Sequence, residues 1–399
     1  MNSLSVAVAG AGIGGLAAAL ALCRTGCTVR VFEQAHQLSE VGAGVQLGAN
    51  AVRPLAALGL LPALQRLAAV PGWLRVFGAP DGKPLACIEL GARHRQRYGA
   101  PYLCLHRADL HRLLLDAASA SGSFELQLGV RVQQLHDLPA ADAVVAADGL
   151  WSALRASLPA AGPTAQPTGH WAWRGLAAAG GLPAAQRSDD VCVWLGPRLH
   201  AVRYPVRGGE WLNWVIVLHG DSGDSGEPAP AQRLDLPSWD LAPAPGQLEA
   251  ALAGCAPALR DAVAAVSGWR RWRLFERAPV AGPQAMARGR LALLGDAAHP
   301  MRPYLAQGAG MAIEDAWVLA QCLAPAGSAA GESVESRLAR YAALRWQRCA
   351  QVQMRAQRNG RIFHAQGLVR RARDAALRTL GPRLLDQPWL YAGGPLPPG

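Results

Sequence analysis

Three short runs of the chain are apolar at nearly every position: residues 5–9 (SVAVA), 143–147 (AVVAA) and 291–294 (LALL). Runs of strand length without alternation suit strands buried on both faces, the pattern of a parallel sheet. Each stops at a turn rich in glycine or aspartate, namely GAGIGG, DG and GD in order. The first turn leads into LAAALAL (16–22), helix-rich in composition and closed by Gly26. Residues 28–32 (TVRVF) then read as a second strand ending at Glu33.

A different pattern fills the long insertion before the third run. VCVW (191–194), LHAVRYPV (199–206) and WLNWVIV (211–217) are strand-like, and eight of the 13 tryptophans lie between 171 and 272, which suits an antiparallel sheet. On 199–206 a period of two places His200, Val202 and Tyr204 on one face and Ala201, Arg203 and Pro205 on the other. Residues 219–247, with GDSGDSG and several prolines, read as an exposed loop, the chain from Leu338 onward reads as helical, and 393–399 as a frayed tail.

Composition narrows the class. The 399 residues are 51% apolar and 17% charged, enough for a large core and about two domains. No 18-residue apolar span or secretory leader is visible, and the eight cysteines never form C-x-x-C, so a cytoplasmic protein with no metal site and no disulfides is expected. Net charge is +11, and residues 336–378 carry 11 arginines against the single acid Asp374. On a helix, Arg337, Arg340, Arg348, Arg355 and Arg358 fall within an arc of about 80°. Such a stripe is most often a solvated or intramolecular face; a peripheral membrane contact or an acidic partner stays open, and nucleic acid is not expected.

Gly10, Gly12 and Gly15, with Gly14 between them, fill the G-x-G-x-x-G spacing between strand and helix. There the glycines permit a tight turn, close approach to a pyrophosphate and close helix-to-strand packing, while the helix N-terminus faces the phosphates. Glu33, 18 residues beyond Gly15, is placed to accept from ribose hydroxyls. An acid there disfavours a 2′-phosphate, which leaves FAD or NAD. Asp148-Gly149 and Gly295-Asp296 end the other two buried runs and should gather at the same sheet edge, although each aspartate also suits a helix N-cap.

These three motifs, in this order, resemble those of the FAD-dependent aromatic hydroxylases, a family of flavoprotein monooxygenases. VGAGVQLGAN (41–50), HRADL (106–110) and PYLAQGAGMAIED (303–315) extend the likeness over nearly the whole chain. The last is most similar to the salicylate and 3-hydroxybenzoate 6-hydroxylase branch. The resemblance implies an α/β fold: a Rossmann-like FAD-binding domain with an inserted antiparallel β-sheet substrate domain and a C-terminal helical segment. It divides the chain into an FAD-binding domain (1–70, 98–160 and 278–330), a substrate lobe (71–97 and 161–277), helices (331–392) and a tail (393–399).

The resemblance also implies non-covalent FAD, NADH or NADPH as a transient reductant, and O2. Asp296 would hold a ribityl hydroxyl, and the backbone of Gly308, Ala309, Gly310 and Met311 would face the isoalloxazine. Arg107, Asp148 and Gly149 would serve the pyrophosphate and the docking of the reductant; Gln34, Gly44, Val45 and Gly295 complete the cofactor set. A flavin C4a-hydroperoxide would then transfer OH to an electron-rich ring, so the protein must promote phenolate character and exclude water.

His200 and Tyr204 on one strand face could together take a phenol proton, or be ordinary core contacts; with Gln307 they match the branch, whose corresponding residues contact the phenol. Pro303 belongs to the same catalytic set. Arg174 and Arg302 are candidates for holding a substrate carboxylate, while His299 reads as structural and His94, His136 and His364 show no companions. The leading expectation is hydroxylation of a small aromatic acid. A hydroxylase of the ubiquinone-biosynthesis type, acting on a prenylated phenol at the membrane, is the alternative, and a homodimer is left open.

Overall fold

A computed structural model describes residues 3–38, 44–182, 187–220, 246–325 and 331–395. Most of the expected loop at 219–247, residues 41–43 of the VGAGVQLGAN motif and the end of the tail lie outside these residues.

The three apolar runs become Ser5–Ala9, Ala143–Ala146 and Leu291–Leu293, adjacent in one six-stranded sheet. Thr28–Glu33 and Phe124–Leu128 extend it beyond Ser5–Ala9, and the short Ala287–Arg288 closes the other edge as its one antiparallel member. Ser5–Ala9 pairs in parallel with Thr28–Glu33 on one side and Ala143–Ala146 on the other. Connections therefore leave it in opposite directions, and the crevice at its carboxyl end is where such a sheet binds ligands. Helices Ile13–Arg24 and Gly308–Leu323 pack together over this sheet.

The tryptophan-rich insertion forms a seven-stranded sheet in the order Arg270–Glu276, Gln166–Ala178, Trp211–His219, Leu199–Val206, Val191–Gly196, Trp73–Gly78, Pro84–Glu89. The expectation of a purely antiparallel sheet needs one correction, because Val191–Gly196 runs parallel to Trp73–Gly78. These strands come from separate excursions of the chain and need no hairpin between them. One face of the sheet buries Trp173, Trp214 and Ile216 against Leu259 and Val263 of helix Pro257–Ala264. The other face looks toward the start of helix Gly308–Leu323.

Helices Val334–Phe363 and Gly367–Leu385 follow, and the short helix Pro388–Tyr391 comes after them. The basic stripe is largely consumed within the protein. Arg337 and Arg340 donate to the carbonyls of Leu323 and Cys322, Arg348 binds Glu314, and Arg355 reaches Gln387. Among the described residues, no helix is long and apolar enough to cross a membrane.

Candidate active site

The glycine turn has the shape its spacing demands. Gly10 adopts φ +100°, and a Cβ there would lie 2.5 Å from the Ala147 carbonyl oxygen; one on Gly15 would lie 1.9 Å from the Gly10 oxygen. Gly12, the N-cap of helix Ile13–Arg24, faces open space. Glu33 accepts from the amides of Ala11 (2.8 Å) and Ala35 (3.0 Å), which occupies two of a carboxylate's roughly four acceptor positions. Gln34, just beyond, is exposed.

The two distant aspartates converge on this turn. The Asp148 Cα lies 3.1 Å from where a Gly10 Cβ would be. Its Oδ2 caps the following turn through the Ala153 amide at 3.0 Å, so the N-cap role is present, while Oδ1 is buried with no hydrogen-bond partner among the described residues. Gly149 follows at φ +79° with open space around its Cα. Gly14 and Gly295 both sit against Ala312, in the first turns of helix Gly308–Leu323. Asp296 is exposed at the cleft and makes no hydrogen bond within the described protein. Crowding by surrounding protein pushes its carboxyl up, and His299 and Arg107 pull it down, so charge complementarity is present at the cleft.

These features fit a dinucleotide: an open Gly12, an orphaned Asp148 Oδ1, an unengaged Asp296 and two helix starts, at the second of which Gly308 faces open space and Ala309 is half-buried. Glu33→Arg should lower FAD affinity about 10–100-fold, since it strands the Ala11 and Ala35 amides beside the glycine turn and puts a cation in place of the acceptor. Flavin retained through gel filtration reads the effect, and wild-type retention would remove Glu33 from the site.

Gln307, at the N-cap of helix Gly308–Leu323, is only 2% exposed. Its Oε1 accepts from Asn50 Nδ2 at 2.9 Å, leaving the Nε2 amide as the donor that remains. Asn50 also donates to Glu314 at 2.7 Å, and Glu314 is gripped by Arg345 (2.8 Å) and Arg348 (2.6 Å). Asp315, beside it, binds Arg345 (2.7 Å), His299 (2.5 Å) and the Gly295 amide (3.1 Å). Burial raises the Asp315 carboxyl, but His299 and Arg345 outweigh it and hold it at about 2. Burial likewise opposes charge on His299, yet Cys349 and Asp315 raise its pKa well above the ordinary histidine range. This buried network ties the GD turn and the helix start to the long C-terminal helix.

Across the cleft, the second sheet presents three successive rows. Ala172, Val217 and His200 form one, Arg174, Val215 and Val202 the next, and Leu176, Asn213 and Tyr204 the third. Arg174 stands over the Trp272 ring at 4.1 Å. Tyr204 presses on Gly44, where a Cβ would lie 2.4 Å from its ring, and Asn213 Oδ1 accepts from the Gly44 amide at 2.7 Å. Strand Gly44–Leu47, carrying Val45, pairs with Leu103–His106, which immediately precedes Arg107, so the aromatic row abuts the cofactor side.

Two sequence expectations change here. His200 and Tyr204 share a face as the period predicts, but His200 bonds to His364, 2.8 Å away, and not to Tyr204. His364 therefore has a companion after all. Arg302 is not a free cation at the substrate mouth, because Glu276 holds its guanidinium through Nε (2.7 Å) and Nη2. Tyr304, between Pro303 and Gln307, packs on His200 with ring centroids 5.0 Å apart.

A family model described as an FAD binding domain matches residues 3–356. The chain is 38% identical to 3-amino-4-hydroxybenzoate 2-monooxygenase of Streptomyces platensis, covering 99% of this chain and 97% of that one. It is 33% identical to 3-hydroxybenzoate 6-hydroxylase of Polaromonas naphthalenivorans (strain CJ2), covering 97% and 96%. The chain belongs to the FAD-dependent aromatic hydroxylases. A solved salicylate hydroxylase substrate complex superposes with TM-score 0.79 at 26% identity, over 98% of this chain and 95% of that one. The hydroxylase is accordingly an FAD-dependent monooxygenase, with the NAD(P)H and O2 typical of its class as co-reactants.

Its histidines give a pH-dependent stability. Burial, with His170 adding to it, pushes His200 down to about 3. Burial and the neighbouring imidazoles push His364 to about 2, and burial with Arg302 pushes His170 to about 4. The unfolded chain takes up protons near pH ~6.5 while the fold keeps these rings neutral, so stability is complete above ~6.5 and falls as pH drops toward 4. Melting temperature should decline over that window, with a shallower slope in His364→Gln; equal slopes would contradict the assignment.

Proposed function

We propose that this hydroxylase acts on a small phenolic carboxylate of the hydroxybenzoate type, bound between the rows of the seven-stranded sheet and the start of helix Gly308–Leu323. In this reading the six-stranded sheet carries FAD and the seven-stranded sheet carries the substrate. The observation that supports it best is the placement of His200, Arg174 and Tyr204 in successive rows of one face, with Tyr304, three residues before Gln307, packed on His200. Arg174 supplies a cation for the carboxylate. His200 is held neutral by burial, with Nδ1 engaged by His364, so Nε2 is the nitrogen that takes the phenol proton. Tyr204, held among Asn213 and Gln46, fixes the ring edge, and the Gln307 amide can donate to the phenol oxygen.

Glu33, Arg107, Asp148 and Asp296 hold FAD, which supplies two-electron reduction by NAD(P)H and activation of O2. Amides at the start of helix Gly308–Leu323 stabilise negative charge facing them. The eight cysteines are free thiols, in keeping with a reduced, cytoplasmic setting. The membrane-bound prenylated phenol loses its main support, since four of the five arginines of the stripe bind within the protein. Screening aromatic acids for stimulation of NADH consumption, with mass analysis of the products, tests the reading. Stimulation by a hydroxybenzoate with a mass gain of one oxygen is expected; stimulation only by non-phenolic compounds would overturn it.

A further inference from the structure

Four imidazoles gather where the seven-stranded sheet meets the end of helix Val334–Phe363. His200 Nδ1 and His364 Nε2 are 2.8 Å apart. The His364 ring lies 5.2 Å from that of His170, which lies 4.8 Å from that of His219. The first of the series, His200, is 2% exposed, whereas His219 is exposed at the end of its strand. The series therefore leads from the buried sheet face to solvent.

Protonation of the rings follows from their partners. His170 Nδ1 is 2.9 Å from the Thr168 carbonyl oxygen, which can only accept, so that nitrogen carries the hydrogen and Nε2 keeps its lone pair. His364 turns Nε2 to His200, while its Nδ1 is buried with no hydrogen-bond partner among the described residues. A buried polar atom without a partner calls for a functional account.

We infer that His364 is the second carrier of a proton relay that takes the phenol proton from His200 past His170 to His219 and water. This rests on His200 being the base of the proposed hydroxylation. The phenol O–H bond breaks as the proton binds His200 Nε2. The His200 Nδ1–H bond then breaks as a proton binds His364 Nε2, and the His364 Nδ1–H proton leaves for the lone pair of His170, whose ring, 5.2 Å away and not hydrogen-bonded to it at rest, must turn toward it, and then through His219 for water. Protonation of the product phenolate by the reverse path restores every ring.

The groups facing His364 suit passage and not storage. His170, His200 and His219 are imidazoles, the Tyr304 ring lies 5.8 Å away, and the Arg302 guanidinium is neutralised by Glu276. The His364 backbone carbonyl accepts from the Arg198 amide at 3.3 Å, which fixes the helix end against the sheet. Burial keeps His170, His200 and His364 low in pKa, so none retains the proton.

The test is proton release on substrate binding to the FAD-loaded enzyme before any NADH is added, followed with a pH-indicator dye in stopped flow. The probes are 3-hydroxybenzoate, 3-amino-4-hydroxybenzoate and 2-hydroxybenzoate. His364→Ala should slow release about 10–100-fold with FAD retained, and added imidazole should speed it again. His364→Gln keeps an acceptor for His200 but cannot carry a proton, and should be as slow. Wild-type release rates in His364→Ala, or restoration by His364→Gln, would overturn the relay. Absence of proton release from the wild type with every probe would instead overturn His200 as the base, and the relay with it.

Discussion

His200→Ala is expected to keep its FAD and lose hydroxylation by about 10²–10⁴-fold, the usual effect of removing a positioned base. His200 lies on the proposed substrate face of the second sheet, a row beyond Arg174, so the change leaves Glu33, Asp148 and Asp296 untouched. Hydride transfer from NADH to FAD breaks no bond of the phenol. NADH oxidation should therefore continue, with H2O2 released in place of product. The decisive reading is the ratio of hydroxylated product to NADH consumed. As pH rises, solvent ionises more of the phenol and the variant should recover part of that ratio. A wild-type ratio and turnover at every pH would make His200 a packing residue and move attention to Gln307.

Asp315→Ala should cost about 3–5 kcal/mol of stability, because it leaves the guanidinium of Arg345 and the imidazole of His299 buried without their shared anion. For a protein of this size that is about 4–6 °C in melting temperature. The same change frees the Gly295 amide, so FAD retention should fall although Asp315 lies beneath the GD turn. At low pH the wild type approaches the same state. The Asp315 carboxylate stabilises the fold above the ordinary aspartate value of 3.8, and that contribution is lost as pH falls toward about 2. A variant within a degree of the wild type, with full flavin, would show that the network is ornamental.

Local rules made one half of the molecule legible in its sequence. The glycine turn, Glu33 and the two later aspartates could be placed together because carboxyl ends of parallel strands share one edge, whatever their separation along the chain. The common face of His200 and Tyr204 followed from the pleat alone. What the pattern did not show was pairing between elements. His170, His200 and His219 lie on three strands that meet only in the folded sheet, and His364 arrives from a helix 164 residues beyond His200. No period links them. Arg302 read as a candidate for holding a carboxylate because Glu276 stands 26 residues upstream on another element, and the stripe read as solvated or intramolecular without naming the partner of Arg348, because Glu314 lies on a different helix. The parallel pairing of Trp73–Gly78 with Val191–Gly196 escaped for the same reason, since alternation within a strand does not identify its neighbour.

The most direct measurement is turnover of 3-hydroxybenzoate and its amino- and 2-hydroxy relatives under 18O2 with NADH, followed by mass spectrometry of the aromatic product. One 18O atom in the product for each NADH productively used is predicted, with the label lost in His200→Ala while NADH is still consumed. A product that carries oxygen only from water, or NADH consumption that yields H2O2 alone with every phenolic acid, would contradict the account.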